Sequence, residues 1–296
     1  YFWLKAYEIN PKLEKNNFSI AQQLYYENKH ALAINYLKDI NHYRAQSLYI
    51  SCLLCLDHKK EFDQKYLEVS KKEICNAEIG GVIEHANIIY EENYTSPFCN
   101  KAIKFIHWDK INENSFSNEH LNQLIEYIQK TKDDNRYQSL LSKGKQTSGN
   151  LFSLELPFIK SIKKSLELKL EIYKKKFKDS GQGFIKNWPE NYELRSWMIN
   201  MKSGGFLKQH NHEYGWVTGS FYLKVPKDLD NQDAGSIAFS YQGPQYPTKN
   251  KNFNSIIKKV RKRDICIFPS SLFHRTIPFK STEDRICLVF DLIEKN

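Results

Sequence analysis

A chain of 296 residues, 41% apolar, 14% aromatic and 26% charged, is long enough for about two domains and is not a wholly disordered polymer. No run approaches 18 consecutive apolar residues, so no membrane-spanning helix is expected. The formal charge of +10 rests on lysines in an Asn-rich background such as Lys249 to Asn252. It supplies affinity for polyanions but no site, so nucleic acid is not an expected partner.

From Tyr1 to about Tyr94 the pattern is helical. No basic-then-apolar stretch opens the chain, so any leader is read as absent or already removed. Ala21, Leu24, Tyr25, Ala31, Ala33, Ile34 and Leu37 recur at spacings near three and four, with a turn expected around Asn28 to His30. Ala45, Tyr49, Leu53 and Leu54 repeat the pattern, which breaks near Asp57 and His58 and resumes at Phe62 and Tyr66. A weaker third copy covers Ala77 to Tyr90, with Gly80 and Gly81 early in it. Small residues where helices approach, with aromatics between pairs, resemble degenerate tetratricopeptide repeats; an unspecialised helical bundle is the other reading. The resemblance implies a concave face suited to a peptide or protein partner.

Of six cysteines, only Cys52 and Cys55 are closely spaced. They lie in an apolar helical run with no second pair, so buried thiols are expected, in a reducing cytoplasm. Residues 1–110 are thus read as a helical repeat-like domain. The polar stretch 111–150, with one helix at Asn118 to Lys132, is read as a connector. Leu156 to Phe177 is a long amphipathic helix with a solvated basic face.

From Leu194 the texture changes to short alternating runs: Arg195–Met201, Gly219–Val225, Ser236–Ser240, Asp264–Phe268 and Arg285–Phe290. Turn residues separate them and no helices intervene, which argues an antiparallel sandwich or barrel. The fold class is therefore α+β: a helical front joined to an all-β half.

The candidate chemistry sits in that half. His210 and His212, at i and i+2 on an extended segment, present both imidazoles to one side, which is part of a transition-metal site. His274 follows the strand ending at Phe268 and Pro269, and Arg285 opens the last strand. A charge entering an apolar strand is costly unless it meets a counter-charge. Alternation puts Arg285 and Cys287 on one face and Ile286, Leu288 and Phe290 on the other, and separates Ser220 and Tyr222 from Phe221 and Leu223. If the bulky apolar faces meet the helix at 156–178, then Arg285, Tyr222 and Ser220 line an interior cavity. A guanidinium there suits two-pronged binding of a carboxylate.

The order His210-Asn211-His212, then Ile267 to Ser270, His274 and Asp284-Arg285, with Trp197 to Asn200 and Thr218 to Pro226 before them, resembles the 2-oxoglutarate- and Fe(II)-dependent oxygenases, closest to a bacterial and phage-associated branch. The resemblance spans about a third of the chain. It implies a double-stranded β-helix (jelly-roll, cupin-like) domain over 151–296 with the 156–178 helix covering it. It also implies one ferrous ion on His210 and His274, with Arg285 on the distal carboxylate of 2-oxoglutarate. Tyr222 and Asn200 are further cavity-facing candidates for that co-substrate. Where the superfamily usually has an acid, this chain has His212. An all-histidine triad, Glu213 swinging in, or two protein ligands and a water all remain open. Three neutral imidazoles leave the ion's +2 uncompensated, which would favour dianionic 2-oxoglutarate. The implied reaction consumes dioxygen, releases succinate and carbon dioxide, and hydroxylates a substrate, expected to be a protein or peptide side chain. A cupin-type dioxygenase that does not use 2-oxoglutarate and a non-catalytic scaffold are the competing readings. The loops 227–233 and 242–254, with Tyr241, Tyr246 and Phe253, are expected to rim the mouth or pack locally, and the basic run 258–263 to be a solvated hairpin face.

Overall fold

The structure, a computed structural model, describes residues 13–130, 135–136, 139–229 and 231–295. The helical reading of residues 1–12 and the end of the helix expected at 131–132 lie outside them. Among the described residues five helices form the front: α1 (Glu14–Tyr26), α2 (His30–Leu37), α3 (Tyr43–Cys55), α4 (Lys59–Lys71) and α5 (Ala77–Tyr90). Each neighbouring pair from α1 to α4 is in contact, and α5 packs on α3. The apolar spacing explains this: Ala21, Ala33, Leu37, Ala45, Leu53, Phe62 and Val82 meet in one buried cluster. Cys52 and Cys55 sit on α3 as free thiols, and burial pushes the Cys55 thiol up to about 12. Among the described residues no helix is long and apolar enough to cross a membrane.

The expected third helical copy is a single helix that serves as a bracket. Asn76 caps α5 by accepting from the Ile79 amide. Gly80 and Gly81 then bring its backbone onto the β half. A Cβ at Gly80 would lie 2.6 Å from Ser271 Cβ, and one at Gly81 would lie 3.0 Å from Asn211 Nδ2. Asn211 stands between the two histidines of the motif, so the helical front buttresses that loop directly.

Ten strands follow among the described residues: β1 (His107–Lys110), β2 (Asn135–Arg136), β3 (Leu141–Thr147), β4 (Tyr192–Leu207), β5 (Val217–Lys224), β6 (Ile237–Ser240), β7 (Ile256–Lys258), β8 (Asp264–Pro269), β9 (Phe273–Thr276) and β10 (Arg285–Glu294). They make a seven-stranded sheet in the order β1-β8-β5-β10-β4-β3-β2 and a three-stranded sheet β7-β6-β9. All strand pairs are antiparallel. The stretch expected to be a connector contributes β2, β3 and a helix, α6 (Asn118–Lys130), and β1 leaves the helical front to pair with β8. These strands carry little apolar alternation: β3 reads Leu-Ser-Lys-Gly-Lys-Gln-Thr, and its pairing with β4 holds it in the sheet.

The long helix α7 (Pro157–Lys176) has Pro in its first turn, where no backbone donor is lost. Its Ile159, Ile162, Leu166 and Leu170 share one core with Leu121 and Leu124 of α6 and with Phe221, Leu223, Ile286, Leu288 and Phe290. The apolar faces of β5 and β10 therefore point toward the helices, as the alternation requires, and the opposite, inner faces look toward the small sheet. Phe239 of β6 and Phe268 of β8 meet edge-on across that space, with ring centroids 5.0 Å apart.

Candidate metal and anion site

The register of the central strands decides which side chains face inward. In β10, Cys287 pairs with Ile199 and Tyr222, Val289 with Trp197 and Ser220, and Asp291 with Thr218. Paired residues point the same way, so Trp197, Ile199, Thr218, Ser220, Tyr222, Arg285, Cys287, Val289 and Asp291 share the inner face. β10 runs four residues past the expected end at Phe290, and this extension puts Asp291 there.

His210 and His212 lie on the loop after β4 rather than on a strand, and His210 bridges to His274 of β9. The three rings converge: centroids are 4.5 Å apart for His210 and His274, and 5.2 Å for each with His212. One nitrogen of each ring lies within 4.8 Å of one from the others. The outward nitrogens have acceptors. His210 Nδ1 is 2.7 Å from the Lys208 carbonyl, His274 Nδ1 is 3.2 Å from the Leu272 carbonyl, and His212 Nδ1 is 2.7 Å from Asp291 Oδ1. Carbonyl and carboxylate oxygens accept only, so all three Nδ1 atoms carry the proton. Burial, with the His212 ring alongside, holds His210 down to about 4; burial and the two other rings hold His274 well below its usual range. In neutral His210, Nε2 then offers a lone pair, and in His212 the Nε2 that faces it at 3.3 Å does so too in the neutral ring. Lone pairs aimed at each other repel unless a cation sits between them. Two nitrogens bound at right angles to one ion, at about 2.1 Å each, stand about 3 Å apart. The donor set fits a divalent transition metal.

Arg285 is the largest fully buried side chain, at 2% exposure. Its Nε donates to the Gly235 carbonyl at 2.9 Å, and its guanidinium carbon lies 5.1 Å from the centre of the Tyr222 ring. Among the described residues no carboxylate lies within ion-pairing distance of it. A dry guanidinium without an anion costs several kcal/mol, so the chemistry of this position is that of a carboxylate receptor. The histidine cavity has a volume of about 400 Å³ between Trp197, Ile199, His210, His212, Ser220, His274, Val289 and Asp291; of the inner-face trio expected from the sequence, Ser220 is in this lining and Arg285 and Tyr222 are not. The buried Tyr222 hydroxyl is 3.8 Å from Cys266 Sγ, and burial raises it well above its usual range.

Asn200 departs from the sequence expectation, and of the two readings open for the 242–254 aromatics the local-packing one applies to Tyr246 and Phe253. Asn200 pairs with Ile286 and so belongs to the outer face, where its Nδ2 donates to Asp284 at 3.1 Å. It cannot reach a co-substrate on the inner face; the parity of β4 had put it out of step with Ile199. The 242–254 loop does not rim the mouth through its aromatics. Tyr246 bonds Ser51 of α3 at 2.8 Å, and Phe253 stacks on His85 of α5 at 4.7 Å. The mouth has Leu140, Glu213 and Tyr214 from the β half and Tyr26 from α1. Glu213, the acid next to His212, accepts from the Tyr26 hydroxyl at 2.8 Å and stands outside the converging group. In the basic run, Arg263 is a clamp, donating to the carbonyls of Ile111 and Phe116 at 3.0 and 2.9 Å.

Residues 195–291 match the family model described as "Putative 2OG-Fe(II) oxygenase". Among solved structures, a prolyl-4-hydroxylase of Pseudomonas putida is 10% identical, over 64% of this chain and 93% of that one, with a TM-score of 0.43. HygX of Streptomyces hygroscopicus, solved with nickel and 2-oxoglutarate, is 12% identical over 67% and 88% at 0.43. A prolyl hydroxylase of Trichoplax adhaerens, in complex with a hypoxia inducible factor peptide fragment, is 14% identical over 73% and 90% at 0.44. No curated protein matches the chain. The segment similar to the 2-oxoglutarate/Fe(II) oxygenases, residues 195–291, is the one that holds the three imidazoles and the buried guanidinium.

Proposed function

We propose that the chain is an Fe(II)- and 2-oxoglutarate-dependent oxygenase that hydroxylates a side chain of a protein or peptide, with His210, His212 and His274 holding the ion and Arg285 gripping the distal carboxylate of 2-oxoglutarate. The observation that carries the assignment is the convergence of three ring nitrogens whose partners across each ring are all spoken for by acceptors. Bound Fe(II) and 2-oxoglutarate supply oxidative decarboxylation, which activates dioxygen for insertion into a C–H bond. The chain's own residues place and shield. Arg285, fixed by the Gly235 carbonyl and the Tyr222 ring, orients one end of the co-substrate. Trp197, stacked on His212 at 5.7 Å, and Val289 and Ile199 give the histidine cavity apolar surface beside the rings.

A macromolecular substrate is supported by Tyr26: the helical front supplies part of the mouth, where an enzyme for a small substrate needs no second domain. The hairpin contacts of α1 with α2 and α3 with α4 support a tetratricopeptide-like front. Two antiparallel sheets facing one interior support the double-stranded β-helix reading of the rest. Six free thiols support a reducing compartment such as the cytoplasm.

The test is release of succinate from 2-oxoglutarate by the full chain. Release that needs added Fe(II) and falls to background in His274→Ala is the expected result. Oxygen consumption that proceeds without 2-oxoglutarate contradicts it and favours a different cupin-type reaction.

A further inference from the structure

Behind His212 stands Asp291, an acid that no motif marks. It is 7% exposed, at the inner face of β10. Its Oδ1 accepts from the His212 Nδ1–H at 2.7 Å and also from the Thr218 hydroxyl at 2.7 Å. Since Thr218 donates there, it accepts from Ser270 Oγ, again at 2.7 Å. A relay of three buried side chains, from the turn after β8, from β5 and from β10, thus ends on the one imidazole that occupies the place of an acid. His210 and His274 have only neutral carbonyls behind them.

Resting on the three-histidine assignment, we propose that Asp291 is a positioning residue that makes His212 a metal ligand. The carboxylate fixes the tautomer with the proton on Nδ1, leaving Nε2 to the ion, and it fixes the ring plane together with Trp197. As a charged acceptor it draws the Nδ1 proton more strongly than a carbonyl does, which makes Nε2 a better donor. It also returns to the site the negative charge that a directly bound carboxylate would bring. Ion, three neutral rings and Asp291 sum to +1 rather than +2, so the pull on dianionic 2-oxoglutarate is one unit weaker than the three rings alone suggest.

The test uses the full chain and Co(II) as the probe, titrated anaerobically and read by its visible absorption. Asp291→Ala is expected to weaken Co(II) binding about 10- to 100-fold, with Asp291→Asn, which keeps a neutral acceptor, between it and the unaltered protein. Long-range proton–nitrogen NMR of the metal-free protein is expected to show His212 protonated on Nδ1, and a mixture of tautomers in Asp291→Ala. If the Asp291 variants do not fold, Thr218→Val keeps the carboxylate, removes one of its bonds and is expected to weaken Co(II) binding by a smaller factor. Co(II) affinities within twofold of the unaltered protein in the variants that fold, or His212 protonated on Nε2, overturn the proposal while leaving the metal site standing. An unaltered protein that binds no Co(II) overturns both.

Discussion

The two ends of the inner face of β10 are built in opposite ways. At the Asp291 end the outward nitrogens of three histidines are satisfied by protein, and only their inward lone pairs lack a partner. At the Arg285 end a guanidinium is buried with one backbone carbonyl, a thiol and an aromatic face for company, and no anion. One end is organised in advance to receive a cation; the other is destabilised until an anion arrives. A bifunctional co-substrate that chelates a metal at one end and carries a carboxylate at the other would answer both needs, and on the proposed assignment the two sites serve one reaction.

The sharpest way to break this comparison is Arg285→Met. Affinity for 2-oxoglutarate is expected to fall at least about 100-fold, because one partner of a desolvated charge pair is removed. Co(II) binding should change less than twofold. The melting temperature of the ligand-free protein should rise, since a flexible apolar side chain replaces an uncompensated charge. A parallel loss of stability and 2-oxoglutarate binding would mean that Arg285 is a structural residue only.

His85 sharpens the contrast as a buried histidine of the ordinary kind. The Gly243 amide donates to its Nδ1 at 3.0 Å, so its Nε2 carries the proton and donates to the Pro247 carbonyl, also at 3.0 Å. Both nitrogens are used in joining α5 to the 242–254 loop, and none is left for a metal. Burial lowers His85 to about 4. A depressed histidine contributes stability that is complete above its unfolded value near 6.5 and is lost as pH falls toward 4; between pH 7 and pH 5 this amounts to about 2 kcal/mol. His85→Ala should cost about 2 kcal/mol at pH 7 through the two orphaned backbone groups. It should also flatten the acid limb of the stability profile by the amount above and leave Co(II) binding intact, all readable by denaturant unfolding across pH. The smallest effect is expected for Asn200→Ala: on the outer face of β4, it should leave 2-oxoglutarate affinity within twofold, measured by the same titration.

Much of this was legible before any coordinates. The i, i+2 histidines, His274 and the arginine opening an apolar strand each carry a local signal, and alternation alone placed Arg285 and Tyr222 on the inner face and Phe221, Leu288 and Phe290 toward α7. What escaped depended on register and on contacts distant in sequence. Asn200 was misassigned because a strand's parity is known only relative to its partners, and its neighbour Ile199 is the inward one. Asp291 was missed because β10 was ended at Phe290, although the same alternation extended by one residue reaches it. The strands β1, β2 and β3 have polar sequences; β8 supplies the pairing of β1, β4 that of β3, and β3 in turn that of β2. The bracket made by Gly80 and Gly81 is a contact with Ser271 and Asn211, which no local pattern announces.

The central claim, that one face of β10 serves a metal at one end and a carboxylate at the other, meets its most direct test in anaerobic absorption spectroscopy of the full chain with Fe(II). Adding 2-oxoglutarate should raise a weak visible charge-transfer band that is absent from His274→Ala at any concentration and appears in Arg285→Met only at far higher 2-oxoglutarate. No band in the unaltered protein, or a band equally easy to raise in both variants, would contradict the account.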